Sequence, residues 1–354
     1  MYQIDEFALP ESPDAPEWHA YQELARGYHH EMIDGPGWDS SDAVSLDLAR
    51  RAEGHTWTRR FLATVDGEAV GYANLRVNHR DEADAGNVSV YVAPAWRSRG
   101  IGRALADRLA DAVREAGLVR LSAWVEAPLP KDDVVIPASG VGAAPADYPG
   151  VRMALALDFT LEQVERVSRY DFAAPLIDPE HAYEEARRAA GDDYEVIAFE
   201  GAAPEEVLAD LAQLKERMTT DPPTGGMIVA QATWDAQRVR EMEGDHLPTM
   251  RFWRALVRHR PTGTVVALSE LMRERGNPDA FVDQWDTIVL PEHRGHRLGM
   301  LVKAVNLLQV RDADPDAQSV VTWNAEENRH MLDVNEALGF RPILVEGAFQ
   351  RLLT

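Results

Sequence analysis

One local pattern occurs twice in this chain and limits what it can fold into. Val88-Ser89-Val90-Tyr91-Val92 reads as an apolar strand, Pro94 stops it, Arg97-Ser98-Arg99-Gly100-Ile101-Gly102-Arg103 forms a basic glycine turn, and a helix runs on to about Glu115. Gln284 to Val289, Pro291, Arg294-Gly295-His296-Arg297-Leu298-Gly299 and a helix over 296–311 repeat the order. Arg97 and Arg294 lie more than half the chain apart, so the repeat has the length of a domain. In such a turn glycines let backbone N–H groups approach a ligand, and the helix start adds about half a positive charge. A diphosphate is the natural guest. The dinucleotide fingerprint and the P-loop are excluded, because neither a third spaced glycine nor Gly-Lys-Ser/Thr follows.

At 354 residues the chain exceeds the usual size of one domain, and the sequence divides as 1–172, a linker over 173–192, and 193–354. The linker, with Pro175 and Pro179, reads as holding a helical turn or two. In the first domain come a strand over 2–8, helices over 17–30 and to about Arg51, a hairpin around Asp66-Gly67, the strand with its glycine turn and helix, and a strand over 118–125. Residues 126–150, rich in proline and glycine, read as a long loop before a short helix over 151–157 and a closing strand over 159–170. The second domain repeats this order from Tyr194. The fold class expected is α/β with a mixed sheet.

The net charge of -23 repels nucleic acid and anionic membrane, so neither is expected as a partner, and it favours cationic solutes. No apolar run is long enough to span a membrane and no signal-like segment opens the chain, which points to the cytoplasm. With no cysteine, a thiolate metal site or a Cys-linked acyl intermediate is excluded, and no metal is expected.

The spacing Arg97-x-x-Gly100-x-Gly102 after strand and Val-x-Pro resembles the acyl-CoA motif of the GCN5-related N-acetyltransferases (GNAT), and the second copy makes the chain resemble a tandem member. The resemblance implies two fused domains in which the sheet splays between its fourth and fifth strands to admit acetyl-CoA. It implies donor contacts from Tyr91, Val92, Arg97, Ser98, Arg99, Gly100, Ile101, Gly102 and Arg103, and from Val289, Arg294, Gly295, His296, Arg297, Leu298 and Gly299. Arg297 stands where the motif has its first glycine. Asn324 and Asn328 either bond the pantetheine arm or cap the helix that follows. The tyrosine that often protonates the thiolate in this family is replaced by Ala154 and by Asn335.

An amine is mostly ammonium near neutral pH and must lose a proton before it attacks a thioester, so a carboxylate is the expected base. Asp283 falls where some family members carry a catalytic glutamate; Asp286, by two-residue alternation, falls on the opposite face; Glu270 is a further option; Glu126 is the nearest candidate in the first domain. The reading is an acetyl-CoA-dependent N-acetyltransferase acting on a small-molecule or peptide amine by direct attack. The alternatives are a non-catalytic CoA-binding scaffold and an N-acyltransferase using a longer acyl-CoA.

Overall fold

The computed structural model describes residues 1–353, and the chain forms two compact units. Among the described residues the first comprises 1–164, 225–227 and 345–353; the second comprises 165–224 and 228–344. Among the described residues no helix is long and apolar enough to cross a membrane.

In chain order the first unit has β1 (Tyr2–Phe7), α1 (Pro16–Met32), α2 (Asp42–Ala52), β2 (Thr56–Val65), β3 (Glu68–Asn78), β4 (Ala85–Val92), α3 (Ile101–Ala116), β5 (Arg120–Pro128), β6 (Val134–Val135), β7 (Ala144–Pro145) and α4 (Pro149–Ala156). β1 to β4 pair antiparallel in sequence order, and β4 then pairs parallel with β5. Ser41 caps α2 by accepting the Val44 N–H, and α3 buries Ile101, Leu105, Leu109 and Val113 on one face. The loop expected over 126–150 contains the small β6–β7 ladder. Val345 and Phe349, near the chain's end, pack into this unit's core with Leu105, Leu121 and Val164.

β8 (Thr160–Asp171) crosses from one unit into the other in sequence, and its residues 165–171 pair antiparallel with β13 (Ser319–Ala325). The remaining elements are α5 (Pro179–Ala190), β9 (Tyr194–Glu200), α6 (Leu208–Met218), α7 (Ala236–His246), β10 (Met250–His259), β11 (Val265–Glu274), β12 (Val282–Val289), α8 (Leu298–Ala313), α9 (Arg329–Leu338) and β14 (Arg341–Leu352). β9 to β12 form an antiparallel ladder in the order 9-10-11-12, and β12 pairs parallel with β13.

Two boundaries differ from the sequence reading. The segment expected as a linker with a turn or two contains the three-turn helix α5, capped by Asp178 and burying Ala182, Ala186 and Ala190 in the second unit's core. The closing strand of the first half supplies its residues 165–171 to the second unit's sheet, while residues 345–353 count with the first unit.

Candidate functional site

Each unit opens its sheet at the same place. β4 and β5 pair only over Ala85↔Arg120, Gly86↔Leu121 and Asn87↔Ser122, so β4 runs on to Val92 with no partner on that side. In the second unit β12 and β13 pair only at Val282↔Val320 and Asp283↔Val321. A parallel pair that parts after two or three residues leaves a wedge at the carboxyl ends of its strands.

The glycine turns lie at the mouths of these wedges and match in conformation. Left-handed φ angles occur at Ser98 (60°) and Gly100 (83°), and at Gly295 (86°) and Arg297 (56°). The first hydrogen bond of α3 runs from the Ala104 N–H to the Gly100 carbonyl, and that of α8 from Leu301 to Arg297. Among the described residues no backbone carbonyl takes the amides of 98–103 or 295–300, which stand at the positive ends of their helices. Arg97 Nε donates to the Val92 carbonyl at 2.9 Å and Arg294 Nε to the Val289 carbonyl at 3.2 Å, which ties each turn to its strand. Ile101 and Leu298, each 2% exposed, anchor the helix starts in the core. This donor set fits a diphosphate in both units.

Around the first turn the other expected contacts are partly spoken for. Tyr91 donates its hydroxyl to Glu31 at 2.6 Å, Arg99 lies over the Trp96 ring and donates to the Ala95 carbonyl, and Arg103 pairs with Asp107. Around the second, Arg294 is 3.8 Å from Asp221 and Arg297 is 3.6 Å from Glu185. His293 Nδ1 is 3.0 Å from the Tyr194 hydroxyl, and the His296 ring packs 5.2 Å from the same tyrosine. Asn328 caps α9 by accepting the Met331 N–H; Asn324 accepts from the buried Asn335 amide, at the position of the missing tyrosine. Among the described residues no group of three or more His, Cys, Asp or Glu could hold a metal ion.

The carboxylates separate by environment. Glu126, at the end of β5, is partly exposed, and burial lifts its carboxyl above the usual range while the Tyr28 hydroxyl, donating to it, pulls the other way. Tyr28 and Tyr91 rings lie 5.6 Å apart, and Glu31, Arg97 and Glu126 all act on Tyr148, whose phenol is pushed up to about 12 chiefly by burial. Tyr148 precedes α4 and sets its hydroxyl 3.5 Å from Met32 Sδ. Glu31 and Tyr148 were not singled out in the sequence, because one belongs to the first helix and the other to an irregular loop.

In the second unit Asp283 and Asp286 occupy one face of β12, contrary to the alternation expected. The register with β11 moves from Ser269↔Thr287 to Leu271↔Gln284, so β12 carries one extra residue opposite Glu270. This β-bulge resets the alternation. Asp283, opposite Met272, therefore shares the face of Glu270 and Asp286. Burial pushes Asp283 up to about 7, and its Oδ1 has no hydrogen-bond partner. Asp286 Oδ2 and Glu270 Oε2 both accept from Lys215 of α6, Asp286 at 2.8 Å. Glu270 also accepts from Arg254 Nε at 2.9 Å, and Arg254 Nη1 donates to Glu243 at 2.6 Å. Burial alone would raise Glu270, but Lys215 and Arg254 hold it below the ordinary value.

The first unit has neutral groups where the second has Lys215, Glu270 and Asp286, and keeps an arginine, Arg60, where the second has Arg254. Asn74 pairs across the sheet with both Arg60 and Ser89, as Glu270 does with Arg254 and the bulge containing Asp286. Asn74 Nδ2 donates to the Tyr21 hydroxyl of α1 at 2.7 Å and to Ser89 at 3.3 Å. Tyr21 thus stands in its unit as Lys215 stands in the other.

Comparison with known proteins agrees with this geometry. The profile of the acetyltransferase (GNAT) family matches residues 18–131. A mycothiol acetyltransferase of Beutenbergia cavernae is 33% identical over 87 residues, a stretch that is 24% of this chain and 29% of that protein. A tandem GNAT protein from the clavulanic acid biosynthesis pathway has the same fold, with a TM-score of 0.77 at 22% identity over 99% of this chain and 98% of its own. A GCN5-related N-acetyltransferase from Sphaerobacter thermophilus has a TM-score of 0.61 at 16% identity, covering 99% and 95%.

Proposed function

We propose that this chain, whose residues 18–131 belong to the GNAT family and whose whole length has the tandem GNAT fold, is an acyl-CoA-dependent N-acyltransferase acting on an amine, with acetyl-CoA as donor. The observation that carries the reading is the pairing of a wedge in the sheet with a turn whose amides are free, present in both units. The amides of 98–103 would hold the donor's diphosphate in the first unit, with Arg99 and Arg103 beside them, and those of 295–300 in the second.

Transfer is assigned to the first unit. Glu126 stands at the end of β5 where the wedge opens, remains reachable, and holds its proton more tightly than an ordinary carboxylate, which suits it to take a proton from an ammonium near neutral pH. The amine freed of its proton attacks the thioester carbonyl directly. Tyr148, at the start of α4, is the hydroxyl that can return a proton to the leaving sulfur, a part Ala154 cannot play. The strongly acidic surface favours a cationic acceptor, small molecule or peptide.

A second reading places transfer in the second unit with Asp283 as base, favoured by a carboxyl pushed up to about 7 at the root of that wedge. Thiol release from acetyl-CoA across a panel of amines tests both, with calorimetric CoA binding measured in parallel. Amine-dependent release that is lost in Glu126→Gln and kept in Asp283→Asn supports the first reading, and the reverse supports the second. CoA binding without turnover would make the protein a scaffold. Faster turnover of a longer thioester would change the donor. Gly100→Asp is expected to weaken donor binding in the first unit by placing a carboxylate among its amides.

A further inference from the structure

The acidic face of β11 and β12 in the second unit holds a cation already. Lys215 is 3% exposed, and its Nζ donates to Glu270 and to Asp286. The same Nζ lies 5.7 Å from the centre of the Trp234 ring and 5.6 Å from that of Trp285. Two carboxylates and two indole rings around one ammonium are the elements by which proteins recognise alkylammonium ions. The charges there are matched: Lys215, Arg254 and Arg240 against Glu270, Glu243 and Asp286. Removing the lysine leaves a buried negative charge without its counter-ion.

The first unit lacks this arrangement at the corresponding positions, where the uncharged Asn74 Nδ2 donates to Tyr21 and to Ser89. The cage is therefore not a requirement of the fold. Nor is it a common device in this chain, which has only Lys131, Lys215 and Lys303 as lysines among 36 basic residues.

We infer that this cage in the second unit is a primary-alkylammonium site, occupied in the free chain by the chain's own Lys215. The site concerns the second unit alone and stands whether or not acyl transfer takes place in either unit. While Lys215 is in it, Glu270 and Asp286 are closed to an external amine, which leaves Asp283 as the second unit's one uncommitted carboxylate among those named above.

Lys215→Ala tests the assignment, because it removes the three methylenes and the ammonium that n-propylammonium would replace. Thermal unfolding of the variant is followed against n-propylammonium chloride, with tetramethylammonium chloride and 1-propanol as controls. We expect a lowered Tm that n-propylammonium restores by at least half along a saturating curve, with no such shift in the wild type or with either control. If the variant has no cooperative transition alone, the appearance of one with n-propylammonium but not with the controls reads the same way. Lys215→Met, which fills the space without the charge, is expected to show no saturating response. An unresponsive Lys215→Ala, or equal responses from Lys215→Ala and Lys215→Met, overturns the site.

Discussion

Glu31 of α1 receives Arg97 Nη2 on both carboxylate oxygens, each at 2.8 Å, and on one of them also the Tyr91 hydroxyl. A residue of the first helix thus fixes the arginine that opens the donor turn. The two contacts differ in weight. The ion pair is partly exposed, so its loss costs about 1 kcal/mol at most, whereas the phenol of the buried Tyr91 left without an acceptor costs ~1–3 kcal/mol.

Glu31→Ala should therefore lower Tm by about 4–8 °C, while Glu31→Gln, which keeps an acceptor for Tyr91, should lower it by less than half as much. Both should raise the KM for the acyl donor, since Arg97 loses its ion pair in either and keeps only its bond to the Val92 carbonyl. An unchanged KM in Glu31→Ala would separate Arg97 from donor binding.

The Glu126–Tyr28 contact predicts a movement of the pH profile. Tyr28 stabilises the ionised carboxylate against the larger effect of burial. Tyr28→Phe removes that donor, so Glu126 should hold its proton to a higher pH and the acid limb of kcat/KM should move upward in pH. Glu126→Gln should lower kcat by about 10²–10⁴ and abolish the limb, with CoA affinity little changed. An acid limb that stays in place in Tyr28→Phe would take Glu126 out of the reaction.

What could be read from the sequence followed from local rules. The left-handed turn at Gly100, the hairpin at Asp66-Gly67 and the cap at Asn328 each need particular residue types at one position, and each is found there. What escaped was set by tertiary packing. The β-bulge opposite Glu270 adds one residue and leaves no compositional trace, so alternation put Asp286 on the wrong face. α5 escaped because its buried stripe is Ala182, Ala186 and Ala190, which carry little apolar signal. Glu31, Tyr28 and Tyr148 meet near Glu126 from parts of the chain far apart in sequence, which no window of residues can show.

Arg297 and Gly100 offer a reciprocal test of the turns. A side chain at φ 56° carries a cost of about 1–2 kcal/mol that glycine avoids, offset in part by glycine's larger loss of chain entropy. Arg297→Gly should raise Tm by about 1–3 °C, and Gly100→Ala, at φ 83° with nothing within 4 Å of the added carbon, should lower it by a similar or larger amount through backbone strain alone. If the strained arginine is kept for a phosphate, Arg297→Gly will also weaken CoA binding in the second unit, which calorimetry on the Gly100→Asp background would isolate.

Two desolvated groups in the second unit predict how stability depends on pH. Asp283 titrates at about 7 in the fold against an ordinary value of 3.8, so between these limits the folded chain binds more protons than the unfolded chain and stability falls as pH rises. Lys303, buried with its Nζ donating to Gln284 at 2.8 Å, is lowered by burial from 10.5 to about 7, so above 7 the unfolded chain binds more protons and stability rises again. At about 1.4 kcal/mol per unit, each branch spans up to ~4 kcal/mol, with the minimum near pH 7. Urea unfolding from pH 4 to 10 should show that trough. Asp283→Asn should flatten the acid branch and leave the variant more stable than wild type at pH 8, whereas Lys303→Met should flatten the alkaline branch and gain most at pH 6. A wild-type curve with its maximum near pH 7, unchanged in both variants, would mean that neither group is held as the packing around it requires.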